Sequence, residues 1–487
     1  MNYLLLISMS LLLLSCRSSK ETASRANTPN YDVAFVDELF KDYSGENPGA
    51  SIIIVRDGAI ELAKSYGYAD LDRKILATPA SNYRIASVSK QFTAFAIMLL
   101  VHRGKLTYQT KLKTIFPAFP AYGAHITIQH LLTHRAGLVK YTRFLTAGQK
   151  EQMLDRDVLN GLLETDSTYF QPGTQYAYSN TGYAILAQVV EKISGVSFSD
   201  FIQKEVFAPL DMTTSTIFES GKTIKHRAYG YLVRQEGVTA KDQSLTSAIQ
   251  GDGCIYTSVV DYFKWDQALY TNELLPQSVL DEAFYGYDEN GKTEADGYGY
   301  GWEVSYYKGT KILQHGGSTT GFGSHVIRVP SEKIMVAIFT NRNKRGKELA
   351  HRAKALLSHF SHGKFQMPFE IILEKEIDEH GIAHGIKQLD RMKRDTQNYS
   401  VSAHSLFMFA IDYLNNHQNT VALQLFEQLI QDDPSYFGGY YGKAAAHKAL
   451  GDKALAIKYF STSIAYCSAK EQWAIDYCKK MIAELEE

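Results

Sequence analysis

Cysteine is scarce in this chain, and neither sign of charge dominates. Four cysteines stand among 487 residues, in no Cys-x-x-Cys or Cys/His spacing that would suggest a metal site. Lysine and arginine total 51 against 52 aspartate and glutamate residues, so the formal net charge is −1. This balance, with 12% aromatic residues, argues against a nucleic-acid partner and against disorder. The composition therefore predicts a large globular protein.

The chain also lacks an apolar run long enough to cross a membrane. The run from Leu4 to Leu14 is shorter than the ~20 residues that a span needs, and it fits the apolar region of a signal peptide. The residues ending at Cys16 resemble a bacterial lipobox, which predicts a lipidated Cys16 in the cell envelope, facing the periplasm or the exterior. In the alternative, an ordinary signal peptide, Cys16 is incidental. The stretch 17–30 is polar and predicts a flexible tether.

Ser87 and Lys90 stand at the head of an apolar run that begins at Phe92. Residues three apart share a face of a helix, so the lysine amine can reach the serine hydroxyl. A serine becomes a good nucleophile only when a base takes its proton, and a buried lysine with a lowered pKa can be that base. The same spacing recurs twice elsewhere, but not at the head of a long apolar helix. The alternative for Ser87 is a helix cap.

Tyr178 and Asn180 precede a second predicted helix. Apolar residues recur from Tyr183 to Ile193, and Gly195 supplies a stop signal. The pattern places Tyr178 and Asn180 in the loop before the helix, where both could point into a cleft. The alternative is that Asn180 only caps the helix and Tyr178 only packs.

A third segment, from His315 to Ser318, lies between β-rich runs that predict an antiparallel strand pair. Gly316 and Gly317 remove side chains where a substrate backbone could lie against the strand. The alternative for the glycines is a bulge or turn, and for His315 a structural histidine.

In this order, the three segments resemble the serine β-lactamase and penicillin-binding protein superfamily. The closest likeness is to its class-C-like branch, which also holds D-aminopeptidases, D,D-carboxypeptidases and esterases. Linking segments extend the resemblance from about Tyr31 to about Ser358. The family motifs Ser-x-x-Lys, Tyr-x-Asn and Lys/His-x-Gly stand here as Ser87/Lys90, Tyr178/Asn180 and His315/Gly317.

The resemblance implies catalytic roles. Ser87 would attack a carbonyl and form an acyl-enzyme, while Lys90 and Tyr178 would share the proton transfers; which of them takes the first proton stays open. The backbone N–H groups of Ser87 and Ser318 would form the oxyanion hole. No metal and no organic cofactor is implied. The substrate-binding residues would be Asn180, His315, Gly317 and Ser318.

Two departures from the family pattern bear on the substrate. His315 stands where β-lactamases and transpeptidases usually have lysine, and histidine is mostly neutral at pH 7. The positions of an asparagine and an arginine used by class C β-lactamases fall on Gly346 and Leu349. Both departures favour a peptidase or an esterase over efficient β-lactam hydrolysis. The basic residues that could compensate are Arg342, Arg345 and Lys347.

The chain changes character after Ser358. One helix is expected over 377–394, and a period of 34 residues then resembles tetratricopeptide repeats. Such an array would dock on the catalytic domain or bind a protein partner; the alternative is a packing module without a partner. The repeating positions include Phe407 with Tyr441, Ala422 with Ala456, and Phe426 with Phe460.

The expected fold class is α/β (α+β). We expect a β-lactamase/D,D-peptidase-like antiparallel sheet flanked by helices, with an all-helical lobe, followed by a small all-α domain. The expected boundaries are a lipoprotein signal peptide at 1–16, a tether at 17–30, a serine hydrolase domain at 31–360, a helical linker at 361–400 and repeats at 401–487.

Three hypotheses about function follow. The leading one is a serine hydrolase acting through an acyl-enzyme on D-amino-acid-containing, peptidoglycan-related peptides. The second is a carboxylesterase on small acyl esters. The third is a penicillin-binding-type sensor whose repeats pass on a signal with little turnover. The expected partners are a small-molecule or peptide substrate, a protein at the repeats and the membrane through the lipid anchor.

Overall fold

The computed structural model describes residues 33–487 except 235, 289 and 344–346. The expected signal peptide, the tether and Cys16 lie outside the described residues. Among those described, no helix combines the length and the apolar character that a membrane span needs.

The helices are α1 (Val33–Leu39), α2 (Lys90–His102), α3 (Leu112–Ile115), α4 (Ile128–Leu132), α5 (Asp155–Leu163), α6 (Asn180–Ser194), α7 (Phe198–Ile202), α8 (Gln250–Gly253), α9 (Val259–Ala268), α10 (Gln277–Leu280), α11 (Lys347–Phe360), α12 (Phe369–His380), α13 (Ile382–Arg394), α14 (Ala403–Asn415), α15 (Asn419–Asp432), α16 (Phe437–Leu450), α17 (Lys453–Tyr466) and α18 (Gln472–Glu486).

The strands are β1 (Ala50–Arg56), β2 (Ala59–Tyr66), β3 (Tyr68–Asp70), β4 (Ile75–Leu76), β5 (Tyr83–Arg84), β6 (Thr216–Ile217), β7 (Tyr231–Arg234), β8 (Gly237–Ala240), β9 (Ile255–Thr257), β10 (Gly286–Asp288), β11 (Gly291–Thr293), β12 (Gly297–Tyr298), β13 (Glu303–Tyr307), β14 (Thr310–Thr319), β15 (Phe322–Val329) and β16 (Ile334–Thr340).

Seven strands form the main antiparallel sheet, in the order β12-β13-β14-β15-β16-β1-β2. Successive side chains of a strand point to opposite faces, so the central strands contribute to two separate cores. Ile53 and Val55 of β1 join the core that contains α2, whereas Ile52 and Ile54 join the core that contains α1 and α11. The sheet therefore separates a front layer of helices around α2 from a back layer formed by α1 and α11.

The front layer is built around α2, which is buried on all sides from Lys90 to Leu100. Its apolar sequence explains this position, since a helix that is apolar all round belongs in a core. Phe92 stacks on Trp265 of α9 with ring centroids 4.5 Å apart. The first turn of α2 is thereby fixed at the centre of the domain.

The expected fold class is confirmed, because a mixed sheet-and-helix domain is followed by an all-helical region. The helix expected over 377–394 is present as α13, but it begins only at Ile382, because Gly381, with φ of 82°, separates it from α12. The helices α14 and α16 begin 34 residues apart, as do α15 and α17. Their assignment to tetratricopeptide repeats stays a prediction.

Candidate active site

Ser87 lies in a 3₁₀ turn, Ala86–Ser89, that leads directly into α2. The residue before it, Ala86, has a left-handed φ of 47°, which is uncommon for a residue with a Cβ. Such strained backbone is concentrated at functional sites, where the surrounding packing holds it in place.

The catalytic turn packs directly against β14. A Cβ at Gly317 would overlap the carbonyl oxygen of Ile85 and would come within 3.1 Å of the Ser87 nitrogen. A Cβ at Gly316 would point to His325 instead. The sequence suggested that both glycines make room for a substrate backbone, but neither does. Gly317 is needed because β14 and the turn that carries Ser87 approach so closely.

Lys90 is fully buried beside Ser87. Its Nζ lies 3.1 Å from Ser87 Oγ, 2.8 Å from Asn180 Oδ1 and 2.8 Å from the carbonyl oxygen of Asp252. Burial lowers the pKa of Lys90 to about 8, against the opposing charge of Asp252. An appreciable fraction of the amine is therefore neutral near pH 7 to 8 and can accept the Ser87 proton.

Tyr178 lies beside Lys90, and the residue is 42% exposed. Burial raises the pKa of the Tyr178 hydroxyl above its usual value, and the Ser87 side chain only partly offsets this. The Lys90 Nζ lies 5.1 Å from the ring centroid. Tyr178 is thus a protonated phenol at neutral pH, suited to donating a proton.

Asn180 is the first residue of α6, not a loop residue. The helix is capped by Ser179, whose side chain accepts from Gly182 N. The Asn180 side chain is therefore not needed as a cap, and its Oδ1 accepts from Lys90 Nζ. The alternative that Asn180 only caps the helix is therefore wrong, because Ser179 is the cap.

His315 is buried, and both of its ring nitrogens are engaged by protein groups. Nδ1 lies 2.7 Å from the Gly316 carbonyl oxygen, and Nε2 lies 2.8 Å from the Tyr298 hydroxyl. A carbonyl can only accept, so Nδ1 carries the proton and Nε2 accepts from Tyr298. Burial and the charge of Lys90 lower the pKa of His315 to about 3. His315 is neutral here, and neither nitrogen is left for a substrate carboxylate.

Arg342 does not compensate for the neutral His315. Its guanidinium is bound by Asp42 and stacks 3.8 Å from the Tyr43 ring centroid, so it is buried with the back layer. Leu349 belongs to the back-layer core. Arg342, named as one of three residues that could compensate, is therefore engaged elsewhere; Arg345 lies outside the described residues.

Asp155 is a site residue that the sequence did not reveal. Its two carboxylate oxygens accept from Gln250 N at 2.7 Å and Gly251 N at 3.0 Å. These bonds hold α8, whose Asp252 carbonyl binds Lys90. Burial raises the pKa of Asp155 to about 7, although the two backbone bonds oppose the shift. No local pattern links Asp155 to Gly251, since their contact depends on the tertiary fold.

His134 and Tyr298 pack against Tyr178 in an aromatic cluster. His134 Nδ1 accepts from Ser179 N at 3.1 Å, and its ring centroid lies 4.2 Å from that of Tyr178 and 4.3 Å from that of Tyr298. The alternation of glycine and tyrosine from Gly297 to Gly301 was an available signal for this packing. The cluster holds the Tyr178 ring in place beside Lys90.

One edge of β14 is open beside Ser87. The strand β13 pairs with β14 only as far as Gln314, which leaves His315–Thr319 without a strand partner on that side among the described residues. A substrate can lie along this edge as an added strand, through main-chain hydrogen bonds. Ser318 lies on the same segment, with its hydroxyl 3.4 Å from Asn343 Oδ1.

The structure therefore brings together Ser87, Lys90, Tyr178, Asn180, His315 and Gly317. A nucleophile, a buried amine and a phenol converge, which is the chemical requirement for acyl transfer through a covalent intermediate. In the described part of the chain, no group of histidine, cysteine and carboxylate side chains has the arrangement of a metal site.

Comparison with known proteins identifies the family. A family model described as Beta-lactamase matches residues 36–359. Penicillin-binding protein 4* of Bacillus subtilis (strain 168) is 32% identical over 338 residues, which cover 66% of this chain and 73% of that protein. The chain belongs to the β-lactamase family, within the superfamily of serine hydrolases that includes the penicillin-binding proteins.

Solved structures agree with this assignment. The penicillin-binding protein homologue from Pyrococcus abyssi superposes with a TM-score of 0.61 and 26% identity, covering 72% of this chain and 81% of that chain. The D-amino acid amidase from Ochrobactrum anthropi SV3 gives a TM-score of 0.58 at 20% identity, covering 68% of this chain and 99% of that chain. The second likeness concerns the fold alone.

Proposed function

We propose that this chain hydrolyses D-amino-acid-containing peptides of the cell wall through an acyl-enzyme on Ser87. The observation that carries the proposal is the buried Lys90 amine, 3.1 Å from Ser87 Oγ and with its pKa lowered to about 8. The similarity to a relative named as a penicillin-binding protein supports a cleft suited to D-Ala-like substrates.

The proposed acylation step uses three side chains. Neutral Lys90 takes the Ser87 proton as Oγ forms a bond to the substrate carbonyl carbon. The backbone N–H groups of Ser87 and Ser318 stabilise the oxyanion; removing one such donor typically costs ~10²–10³ in kcat. Tyr178 then protonates the leaving nitrogen as the scissile bond breaks, and Lys90 returns its proton to Tyr178.

Deacylation reverses these roles. A water oxygen bonds to the acyl carbon, its proton passes to the Lys90–Tyr178 pair, and the Ser87 ester bond breaks as Oγ regains a proton. Asn180 holds the Lys90 amine in place through both steps, because its Oδ1 lies 2.8 Å from Nζ. This assigns the first base to Lys90 and the proton donor to Tyr178.

A carboxylesterase acting on small acyl esters is the second candidate. The neutral, fully engaged His315 favours it, because an ester substrate requires no cation for a terminal carboxylate. The sensor hypothesis has less support, since the nucleophile, the base and the proton donor converge on one point.

The proposal also includes a location in the cell envelope and a protein partner for the C-terminal helices. The residues ending at Cys16 support a lipid anchor in the cell envelope, and the aromatic residues along α14, α16 and α18 support a protein partner. A Cys16→Ser variant tests the anchor: it should leave the membrane fraction, whereas retention there would contradict lipidation.

The proposal is tested with the purified protein lacking residues 1–16. It is incubated with a fluorescent penicillin and, separately, with a fluorophosphonate, and labelling is measured by intact mass with Ser87→Ala as the control. Penicillin labelling that depends on Ser87 supports the peptidase. Labelling by the fluorophosphonate alone favours the esterase, and no Ser87-dependent label from either reagent contradicts both.

A further inference from the structure

A cavity of about 670 Å³ opens between the loop 142–152 and the segment 241–246. The two walls are joined by hydrogen bonds from Met153 N to the Leu245 carbonyl at 2.8 Å and from Gln152 Nε2 to the Ser244 carbonyl at 2.8 Å. The side chains that supply its polar lining include Thr142, Lys150, Lys241, Gln243, Ser244 and Thr246.

The cavity is lined by two cationic side chains. Lys150 and Lys241 line it from opposite walls, and the exposed Arg143 lies in the loop that forms one wall. Within the described residues, none of these three side chains forms an ion pair or a side-chain hydrogen bond. Positive charges concentrated in one concave surface raise the local concentration of anions.

The acidic residues nearby do not neutralise this charge. The stretch 138–150 contains no aspartate or glutamate, and Glu151, which follows it, is exposed and does not line the cavity. Asp242, next to Lys241, is already bound by Arg227 and accepts from Gly230 N at 2.8 Å. The lining itself contains no carboxylate.

The cavity adjoins the catalytic centre at both walls. Tyr141, the neighbour of Thr142, donates to the Asp252 carboxylate at 2.8 Å, and the Asp252 carbonyl binds Lys90. On the other wall, a Cβ at Gly321 would overlap the Lys241 carbonyl oxygen, so Lys241 lies against the turn that follows β14. One wall of the cavity therefore lies near the turn that follows Thr319.

The position of Tyr178 gives the direction of the substrate. The proton donor for the leaving group belongs on the leaving-group side, and Tyr178 lies near His315, with ring centroids 6.3 Å apart. The acyl portion of a substrate along β14 must then extend the other way, past Thr319, toward Lys241. The two ends of the cleft thus differ: the end near His315 is aromatic and neutral, and the end near Lys241 is cationic.

We propose that this cavity is an acyl-side subsite that binds a carboxylate of the substrate, remote from the scissile bond. Lys150 and Lys241 would hold the carboxylate, while the Thr142 hydroxyl would bind a neighbouring polar group. The inference rests on the proposed acyl-enzyme chemistry and narrows its substrate to peptides with an anionic acyl portion.

The test compares two chromogenic substrates that differ by one charge. They are the N-succinyl and the N-(methyl succinyl) forms of Gly-D-Ala p-nitroanilide, and kcat/KM is measured for both. We expect the protein to prefer the succinyl substrate about tenfold at low salt, with most of the preference lost at 0.5 M salt, because exposed charges are screened. A Lys150→Gln/Lys241→Gln variant should lose the preference. The matched control, Lys105→Gln at an exposed position just beyond α2, should keep the preference.

A binding measurement separates this inference from the proposed function. N-succinyl-Gly-D-Ala amide is titrated by calorimetry into Ser87→Ala protein, with and without the two lysine substitutions. Binding about tenfold weaker in the lysine variant supports the subsite even if neither anilide is hydrolysed, in which case the proposed function fails alone. Turnover with an unchanged succinyl preference in the lysine variant, or titrations without a lysine-dependent difference, would overturn the subsite.

Discussion

The front layer of the catalytic domain and the C-terminal helices are both well packed, but they bury different kinds of side chain. Around Ser87 the domain buries ionisable groups, among them Arg84, Lys90, Asp155 and Asp252. In α14–α18, the described polar side chains that are buried are His447 and Ser463. The helical region otherwise relies on leucine, phenylalanine and alanine.

The difference shows what each region requires of its interior. Burying a charge is costly unless hydrogen bonds replace the lost water, and the catalytic domain provides such bonds from backbone groups of α8. The result is a lysine whose pKa is lowered to about 8. The C-terminal helices need only shape complementarity, so a substitution there should change stability and leave chemistry intact.

The largest expected effect is the loss of acylation in Lys90→Met. Methionine fills a similar volume but cannot accept the Ser87 proton, so the rate of fluorophosphonate labelling should fall by at least about 10³-fold. Labelling is followed by intact mass over time. A variant that retained a tenth of the normal rate would show that another group is the base.

The converse substitution, Phe426→Ala, should affect stability alone. Phe426 is fully buried, and a Cβ at Gly442 would overlap its ring. We expect the free energy of unfolding of the helical region to fall by about 3–5 kcal/mol, because the truncation leaves a cavity. Circular dichroism in denaturant measures this, and Ser87 labelling under native conditions should stay within about twofold. Slower labelling would mean that the two regions are energetically coupled.

The pH dependence of acylation should report the buried amine. Only neutral Lys90 accepts a proton, so the labelling rate should rise about tenfold between pH 7 and 9, with an apparent pKa of about 8, and then level off. His315 does not contribute to the pH dependence between pH 7 and 9, because its pKa is lowered to about 3 and it stays neutral. A flat profile, or one that falls with rising pH, is inconsistent with Lys90 as the base.

A smaller effect on rate is expected from Asp155→Ala. The Gln250 and Gly251 N–H groups would lose their acceptors at a cost of about 1–3 kcal/mol in unfolding free energy. The Asp252 carbonyl would be held less firmly, and labelling should slow about fivefold. Asp155→Asn keeps an oxygen acceptor and serves as the matched control, with a smaller loss in both measurements. Equal losses in the two variants would indicate that the negative charge is what matters.

Local sequence signals pointed to Ser87, Lys90 and Tyr178, because each stands next to a helix start that the pattern marks; their catalytic roles stay predictions. Ser87 and Lys90 are three residues apart, and Gly195 ends α6 in the left-handed conformation that the sequence suggests.

The partners of these residues could not be predicted in the same way. Asp155 reaches α8 across 95 residues of chain, and the Tyr298 hydroxyl reaches His315 Nε2 only because β12, β13 and β14 are successive strands of the folded sheet. Arg342 is drawn into the back layer by Asp42, a residue 300 positions earlier. Contacts between residues far apart in the chain determine which charged side chains are available to a ligand. Such contacts cannot be read from a single sequence.

The back layer also has a mechanical consequence. Glu38 of α1 forms an ion pair with Lys375 of α12 at 3.4 Å, and Asp42 binds Arg352 of α11 at 2.9 Å. The chain thus enters the domain and leaves it toward the C-terminal helices at the same corner, behind the sheet. Tension applied between these two points would be carried by that corner alone, and the cleft in front of the sheet would keep its shape under load.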